Sequence, residues 1–528
     1  MPTTKHLLHR VLPLLTATAL LAVPAAPAAA SSDQQSIIQD DSHLQADPAG
    51  TLAQMRLLGA DRVRVTVRWD MLAPRAGSHR RPGGFRAASP GAYPQANWAS
   101  YDAIVNDARH DGLKLDFTLT GPAPLWATGP GAPGAHFGQW KPSAREYDSF
   151  VRAVATRYSG SYTPPGASSP LPRVDFWAIW NEPNYGVDLA PQATHGDTIE
   201  VGAASYRGLV DAAWTALHGT GHGRDTILIG ETAPRGLDHP IGDFSGTKPL
   251  RFLRALYCVD SRQHQLRGYA AGARGCPTTA AGSRRFRAAH PGLFGASGFA
   301  DHPYEQGVAP NTPTTSNPRR FKSDPDYADL PELPRLERLL DTLNRTYGSR
   351  TRFPIYSTEY GYATRPPDPG ARISPATAAD YINWAEYLSW RQPRVRSYMQ
   401  YLLFDPPSGS FASGLELANG AHKATYDAYR LALYLPVTSS RRGRTLELWG
   451  CVRAAGFAAL DTGAPQRVQI QFRPSSKGAF RTSTITIRNS DGYFDVRQAF
   501  VKSGEVRLAW TDQTGAIVHS RTVGITMR

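Results

Sequence analysis

Phe176-Trp177-Ala178-Ile179-Trp180-Asn181-Glu182-Pro183-Asn184 is an apolar run that stops at an amide and a carboxylate. A strand buried on both faces reads this way, as in a parallel sheet covered by helices. Pro183 has no N–H to give a ladder, so the strand ends there. Glu182 is left at the strand's C-terminal end, among Trp180, Tyr185 and the Asn181 amide.

Working outward, strand-like runs occupy 36–40, 63–69, 113–119, 174–180, 226–229, 298–304, 353–358 and 395–403. Amphipathic stretches at 51–58, 101–109, 144–158, 203–217, 250–257, 333–343, 376–390 and 424–434 alternate with them. Their apolar residues recur at three- and four-residue intervals, the helical period. Eight such alternations predict an α/β fold, a parallel (β/α)8 TIM barrel over residues 31–437. An open doubly wound sheet is the competitor, but no Gly-rich phosphate loop follows an early strand. Gly-, Pro- and Arg-rich stretches at 74–96, 129–136, 164–173 and 306–317 are expected as loops, most of them at the barrel mouth.

The pattern changes after Val437. A basic spacer leads to short alternating runs at 446–452, 468–472, 482–487, 493–496, 506–510 and 517–523, with Asn489-Ser490-Asp491-Gly492 as a turn. Residues 438–528 are therefore expected to form an immunoglobulin-like β-sandwich, with Trp449 and Trp510 in its core. Its role is expected to be structural rather than carbohydrate-binding.

Residues 1–30 carry Lys5 and Arg10, an apolar run over 11–23, and Ala28-Ala29-Ala30. That is the layout of a secretory signal, with an apolar run short for a membrane span. The chain is thus expected outside the cell, with no membrane span. Cys258 and Cys276 are close enough to close one loop, which would stabilise by about 3 kcal/mol, and Cys451 is expected buried and free. No Cys/His cluster has zinc-ligand spacing, so neither metal nor cofactor is expected. The formal charge of +14 would suit adhesion to anionic cell-wall polymers. The arginines are scattered, with no aromatic-interleaved basic patch, which argues against nucleic acid.

A second apolar run, Phe353-Pro354-Ile355-Tyr356-Ser357-Thr358-Glu359-Tyr360-Gly361-Tyr362, also meets a glutamate. Counted along the chain, Glu182 ends the fourth strand and Glu359 the seventh, which face each other across a barrel mouth. Along 62–68, Val63, Val65 and Val67 form one face, so Arg64 points into the barrel and needs a carboxylate partner. Glu359 fits that need, and Asp116 is the alternative. In Asp301-His302-Pro303-Tyr304 the i, i+2 spacing puts His302 and Tyr304 on one strand face; a packed core histidine is the other reading. Glu231 ends the fifth strand and could contact substrate or replace one of the pair. A strand-end carboxylate can also merely cap the next element, which is the plain alternative for Glu182.

At these residues the chain resembles glycoside hydrolase clan A, with families 5 and 39 nearest, over residues 35–437. The matches are Asn181-Glu182-Pro183, the strand-two run Gly59-Ala60-Asp61-Arg62-Val63-Arg64-Val65, and His302-Pro303-Tyr304. The resemblance implies a retaining glycoside hydrolase acting on an oligo- or polysaccharide. It makes Glu182 the acid/base and Glu359 the nucleophile, with Asn181 on the sugar 2-hydroxyl. Arg64 would steady the nucleophile, and His302 and Tyr304 would bond Glu359 and the sugar. Such hydrolysis needs the two carboxyls about 5–5.5 Å apart, one protonated and one ionised. The platform tryptophan usual on strand eight of family 5 is missing from 398–405, where Tyr401 or Phe404 could replace it. Trp69, Trp126 and Trp140 follow strands two and three and could stack on sugar or pack loops. A catalytically inactive carbohydrate-binding or adhesion protein on the same scaffold is the competing function.

Overall fold

The computed structural model describes residues 31, 33–134, 137–194, 199–305, 307–315 and 323–528. The expected signal segment, residues 1–30, lies outside them.

Eight parallel strands close into a barrel in sequence order. They are β1 (Gln35–Gln39), β2 (Arg62–Arg68), β3 (Lys114–Thr120), β4 (Phe176–Ile179), β5 (Thr226–Thr232), β6 (Gly298–Asp301), β7 (Ile355–Ser357) and β8 (Val395–Tyr401). β8 pairs with β1 to complete the circle, from Gln35 opposite Ser397 to Gln39 opposite Tyr401. Helices intervene, among them Gln95–Asp111, Ala144–Arg157, Gly202–Gly219, Leu333–Thr346 and Pro375–Trp390. Their starts follow capping chemistry: Ser143 accepts from the Glu146 N–H and Ser374 from the Thr377 N–H.

The buried residues divide as strand alternation requires. Phe176 and Ala178 of β4 join Leu228, Ala300 and Tyr356 in a small cluster, with the Arg62 guanidinium 4.0 Å from the Phe176 ring centre. Trp177 and Ile179 belong to the larger core shared with the helices. Polar residues of the neighbouring strands, Arg64 of β2 and Asp116 of β3, are equally without exposed surface.

The C-terminal strands are β9 (Leu431–Tyr434), β10 (Ser439–Ser440), β11 (Thr445–Val452), β12 (Arg467–Arg473), β13 (Arg481–Thr486), β14 (Tyr493–Ala499), β15 (Gly504–Thr511), β16 (Ile517–His519) and β17 (Val523–Met527). One sheet runs β10-β17-β15-β12-β13 with β16 on β15, and the other β14-β11-β9. This is the expected all-β sandwich, with Trp510 in the core between its sheets and Trp449 buried in a separate cluster against Tyr387.

Three local expectations change. The stretch 424–434 is a helix only over Ala424–Arg430, and β9 then pairs antiparallel with β11. Four residues of apolar sequence satisfy helix and strand alike, and the free edge of β11 decides between them. The stretch 517–523 splits into β16 and β17, because the Ser520 hydroxyl accepts from the Leu508 N–H where a carbonyl would continue the ladder. A helix at Ala455–Thr462 precedes β12. Cys258 and Cys276 form the expected disulfide, and Cys451 is buried and free.

Candidate active site

β4 ends by leaving ordinary strand geometry. Trp180 and Glu182 both have left-handed backbones, φ 69 and φ 38, a conformation costing a non-glycine residue about 1–3 kcal/mol. Trp180 thereby joins the outer core against Tyr147, and its indole donates to the Asp188 carbonyl. The ring lies where a Gly121 side chain would be: a Cβ there would meet it at 2.8 Å. Asn181 and Glu182 are turned towards the barrel axis instead.

Glu182 and Glu359 converge. Together with His302 they offer one ligand atom each, all within 4.8 Å of one another. Their side chains are 15% and 13% exposed, so both are open to a narrow mouth. Arg64 donates through Nη1 to Glu359 Oε1 at 2.7 Å and to Gln39 Oε1 at 2.5 Å. Its Nη2 donates to Asn181 Oδ1 at 2.9 Å and to Glu231 Oε2 at 2.6 Å. Tyr304 donates its hydroxyl to Glu359 Oε2 at 3.2 Å. His302 lies 3.0 Å from Glu182 Oε1 through Nδ1 and 3.1 Å from Glu231 Oε2 through Nε2.

Charge here is set by pairing against burial. Burial alone would lower His302; the carboxylates of Glu359, Glu182 and Glu231 overcome it and raise the ring to about 10. Burial alone would raise Glu231, and Arg64 and His302 hold it below its ordinary value. Asp188, whose Oδ1 accepts from the Asn181 amide at 3.2 Å, is pushed up to about 7 by burial and by Glu182. Glu182, His302 and Glu359 could also hold a metal ion by spacing. Both ring nitrogens of His302 already face carboxylates, Nδ1 Glu182 and Nε2 Glu231, which is the arrangement of a hydrogen-bonded set.

Of the residues expected at the site, Arg64, Asn181, Glu182, His302, Tyr304 and Glu359 come together. Arg64 takes Glu359 and Glu231, not Asp116, whose two buried oxygens have no hydrogen-bond partner among the described residues. Tyr401 reaches the rim, its ring centre 5.9 Å from that of Phe411. Trp69 and Trp126 are corrections. Trp69 has no exposed surface and stacks on Phe150 at 5.5 Å. Trp126 packs edge-on against Phe85 and Trp69 and donates to the Pro74 carbonyl. Aromatic residues outnumber sugar platforms at a barrel mouth because loops need cores too. Trp140 is likewise buried, and Phe404 lies on His43.

Sequence reading gave Glu231 a minor place and missed Gln39, Asp188 and Phe411. Gln39 had a signal, a polar residue closing the apolar run of β1. Phe411, 39% exposed, has its ring 5.7 Å from Tyr304; nothing in an irregular loop announces that.

No family model matches the chain, and no curated protein does. Among solved structures it is similar to a family 39 glycoside hydrolase from the gut symbiont Bacteroides cellulosilyticus WH2, at 13% identity over 89% of this chain and 80% of that one, with a TM-score of 0.46. A family 1 β-glucosidase from Thermotoga maritima is 14% identical over 72% of this chain and 83% of its own, TM-score 0.41. A β-glucosidase from Exiguobacterium marinum is 16% identical over 73% and 85%, TM-score 0.40. These are distant likenesses.

Proposed function

We propose that the chain is a secreted retaining glycoside hydrolase that cleaves O-glycosidic bonds of an oligo- or polysaccharide by double displacement. One observation carries this: carboxylate oxygens of Glu182 and Glu359 within 4.8 Å of each other. A nucleophile and a proton donor flanking one bond stand about 5–5.5 Å apart, whereas an intervening water needs about 6.5–9.5 Å.

In the first step the Glu359 oxygen attacks the anomeric carbon while Glu182 gives its proton to the departing oxygen. The sugar is left as an ester on Glu359, and Glu182 as a carboxylate. Water then enters, loses a proton to Glu182, and displaces Glu359 from the same face as the departed group. Two inversions retain the anomeric configuration. Arg64 and Tyr304 fix the direction of Glu359 before attack, which removes orientational freedom from the barrier. Asn181 is held between Arg64 and Asp188 beside the acid, and in this reading its amide takes the sugar 2-hydroxyl. The signal-like layout of residues 1–30 supports an extracellular location, and the formal charge of +14 would suit adherence to anionic cell-wall polymers.

A panel of aryl glycosides and polysaccharides, followed by proton NMR, tests the reading. The first-formed product should keep the substrate's anomeric configuration. An inverted product would overturn the mechanism, and sugar binding without turnover of any member would favour the inactive reader.

A further inference from the structure

Glu231 is the extra residue of a β-bulge. The register of β5 on β6 shifts between Gly230 and Thr232, and Glu231 has a left-handed backbone with φ 53. A bulge re-aims the side chain it carries. Gly230 makes room for it, since a Cβ there would meet the Ala300 carbonyl oxygen at 2.4 Å. Glu231 is wholly buried, and a buried strained carboxylate needs a reason.

Its Oε2 accepts from two donors, Arg64 Nη2 at 2.6 Å and His302 Nε2 at 3.1 Å. Each donor's other end reaches one reacting carboxylate. Arg64 Nη1 is 2.7 Å from Glu359, and His302 Nδ1 is 3.0 Å from Glu182. We infer that Glu231 is a positioning residue whose fixed negative charge keeps His302 doubly protonated, so that a cation faces Glu182 throughout the catalytic cycle. This rests on the glycosidase reading.

The charge count supports it. Take Arg64 and His302 as positive and Glu231 as negative. Before attack Glu359 is negative and Glu182 carries a proton; in the glycosyl-enzyme Glu359 is an ester and Glu182 is negative. The five side chains sum to zero in both states, so negative charge crosses the cleft without leaving the site unbalanced. The negative charge that develops on Glu182 in the transition state meets a preorganised imidazolium. Remove the Glu231 charge and both states become positive, which His302 relieves by releasing a proton. A neutral ring keeps one N–H, not two.

Among the described residues the charged groups around His302 are Glu182 after β4, Glu231 on β5, its neighbour Asp301 on β6, Glu359 after β7, Asp188 in the loop beyond β4, and the cation Arg64 on β2, which shares Glu231 Oε2 with the ring. Only Glu231 lies on the side away from the substrate and touches the ring without taking part in bond making. Its removal therefore tests the ring's charge without removing a reacting group.

The test is Glu231→Gln, read by nitrogen-15 NMR of histidine-labelled protein and by the pH dependence of kcat/KM on an aryl glycoside. The His302 signals are assigned by their loss in His302→Gln. In the unaltered protein His302 should remain an imidazolium to about pH 9. In Glu231→Gln it should lose a proton about three to four pH units lower. Turnover at pH 8 should fall about ten- to a hundred-fold and recover towards the unaltered rate near pH 5–6. Glu231→Asp, which keeps the charge, should keep His302 charged. An unmoved His302 titration, or a loss of rate equal at every pH, would overturn the inference. The NMR readout needs no turnover, so an unaltered protein that hydrolyses nothing condemns the glycosidase reading alone.

Discussion

Arg64 joins two carboxylates of different function, donating to Glu359 at 2.7 Å through one nitrogen and to Glu231 at 2.6 Å through the other. The planar fork gives each carboxylate its own nitrogen, whereas an ammonium would have to serve both from a single atom. Arg64→Lys, shorter and with one nitrogen for two carboxylates on different strands, should therefore hold Glu359 less well in a site where Arg64 is 1% exposed. We expect kcat/KM to fall by about a hundred-fold or more. Arg64→Met removes the charge altogether and should destabilise by about 3–5 kcal/mol. Denaturant unfolding separates the two variants, and equal stability would show that Arg64 is not paired as described.

Glu182 and the leaving group are linked by one proton. Replacing Glu182 with Gln should cost about a hundred-fold or more in kcat on an alkyl glycoside. A dinitrophenyl glycoside departs without protonation, so its first step should be nearly spared. Equal losses on both substrates would remove Glu182 from the acid role.

Phe411 presents its ring beside Tyr304 and Tyr401. A half-exposed aromatic face next to the nucleophile's hydrogen-bond partner suits the apolar face of a sugar ring. Phe411→Ala should raise KM by about ten-fold with a smaller change in kcat. An unchanged KM would assign Phe411 to loop packing, as for Trp69.

Asp116 is buried opposite Arg64 on the neighbouring strand, with no hydrogen bond to either oxygen among the described residues. Burial, with help from Glu231, pushes it up to about 7, against about 3.9 when unfolded. The folded state thus holds a proton that the unfolded state has lost, and stability declines as pH rises from about 4 to 7. His302 adds a second decline at higher pH. Its ring is raised to about 10 from about 6.5, so its stabilisation is complete below about 6.5 and lost as pH passes 10. Asp116→Asn should lessen the first slope, which Asp188 and Asp301 share because they too are pushed up to about 7, and leave the second. Melting temperatures measured from pH 4 to 10 check both, and an unchanged slope below pH 7 would contradict the assignment.

The barrel and its two glutamates were legible because each apolar run meets a polar or ring residue it cannot pass, Asn181-Glu182-Pro183 after β4 and Glu359 after β7, although β4 itself already ends at Ile179, before the left-handed Trp180. Arg64 was legible through the alternation of Val63, Val65 and Val67, which leaves it no outward face. What the sequence concealed is backbone that breaks period two. The left-handed Trp180 and Glu182 and the bulge at Glu231 change which way side chains point, and no local composition requires them. Asp188 and Phe411 reach the site from irregular loops. Trp69 and Trp126 misled for the opposite reason, since a tryptophan after a barrel strand serves stacking and packing equally well until its neighbours are known.

The central claim is that Glu359 attacks the sugar. A 2-deoxy-2-fluoro glycoside with a good leaving group slows the second step and strands the covalent intermediate. Mass spectrometry of the digested protein should then find the added sugar mass on the peptide holding Tyr356-Ser357-Thr358-Glu359, and on Glu359 within it. Label on Glu182, on Glu231, or on no peptide while substrate is being hydrolysed would contradict the account.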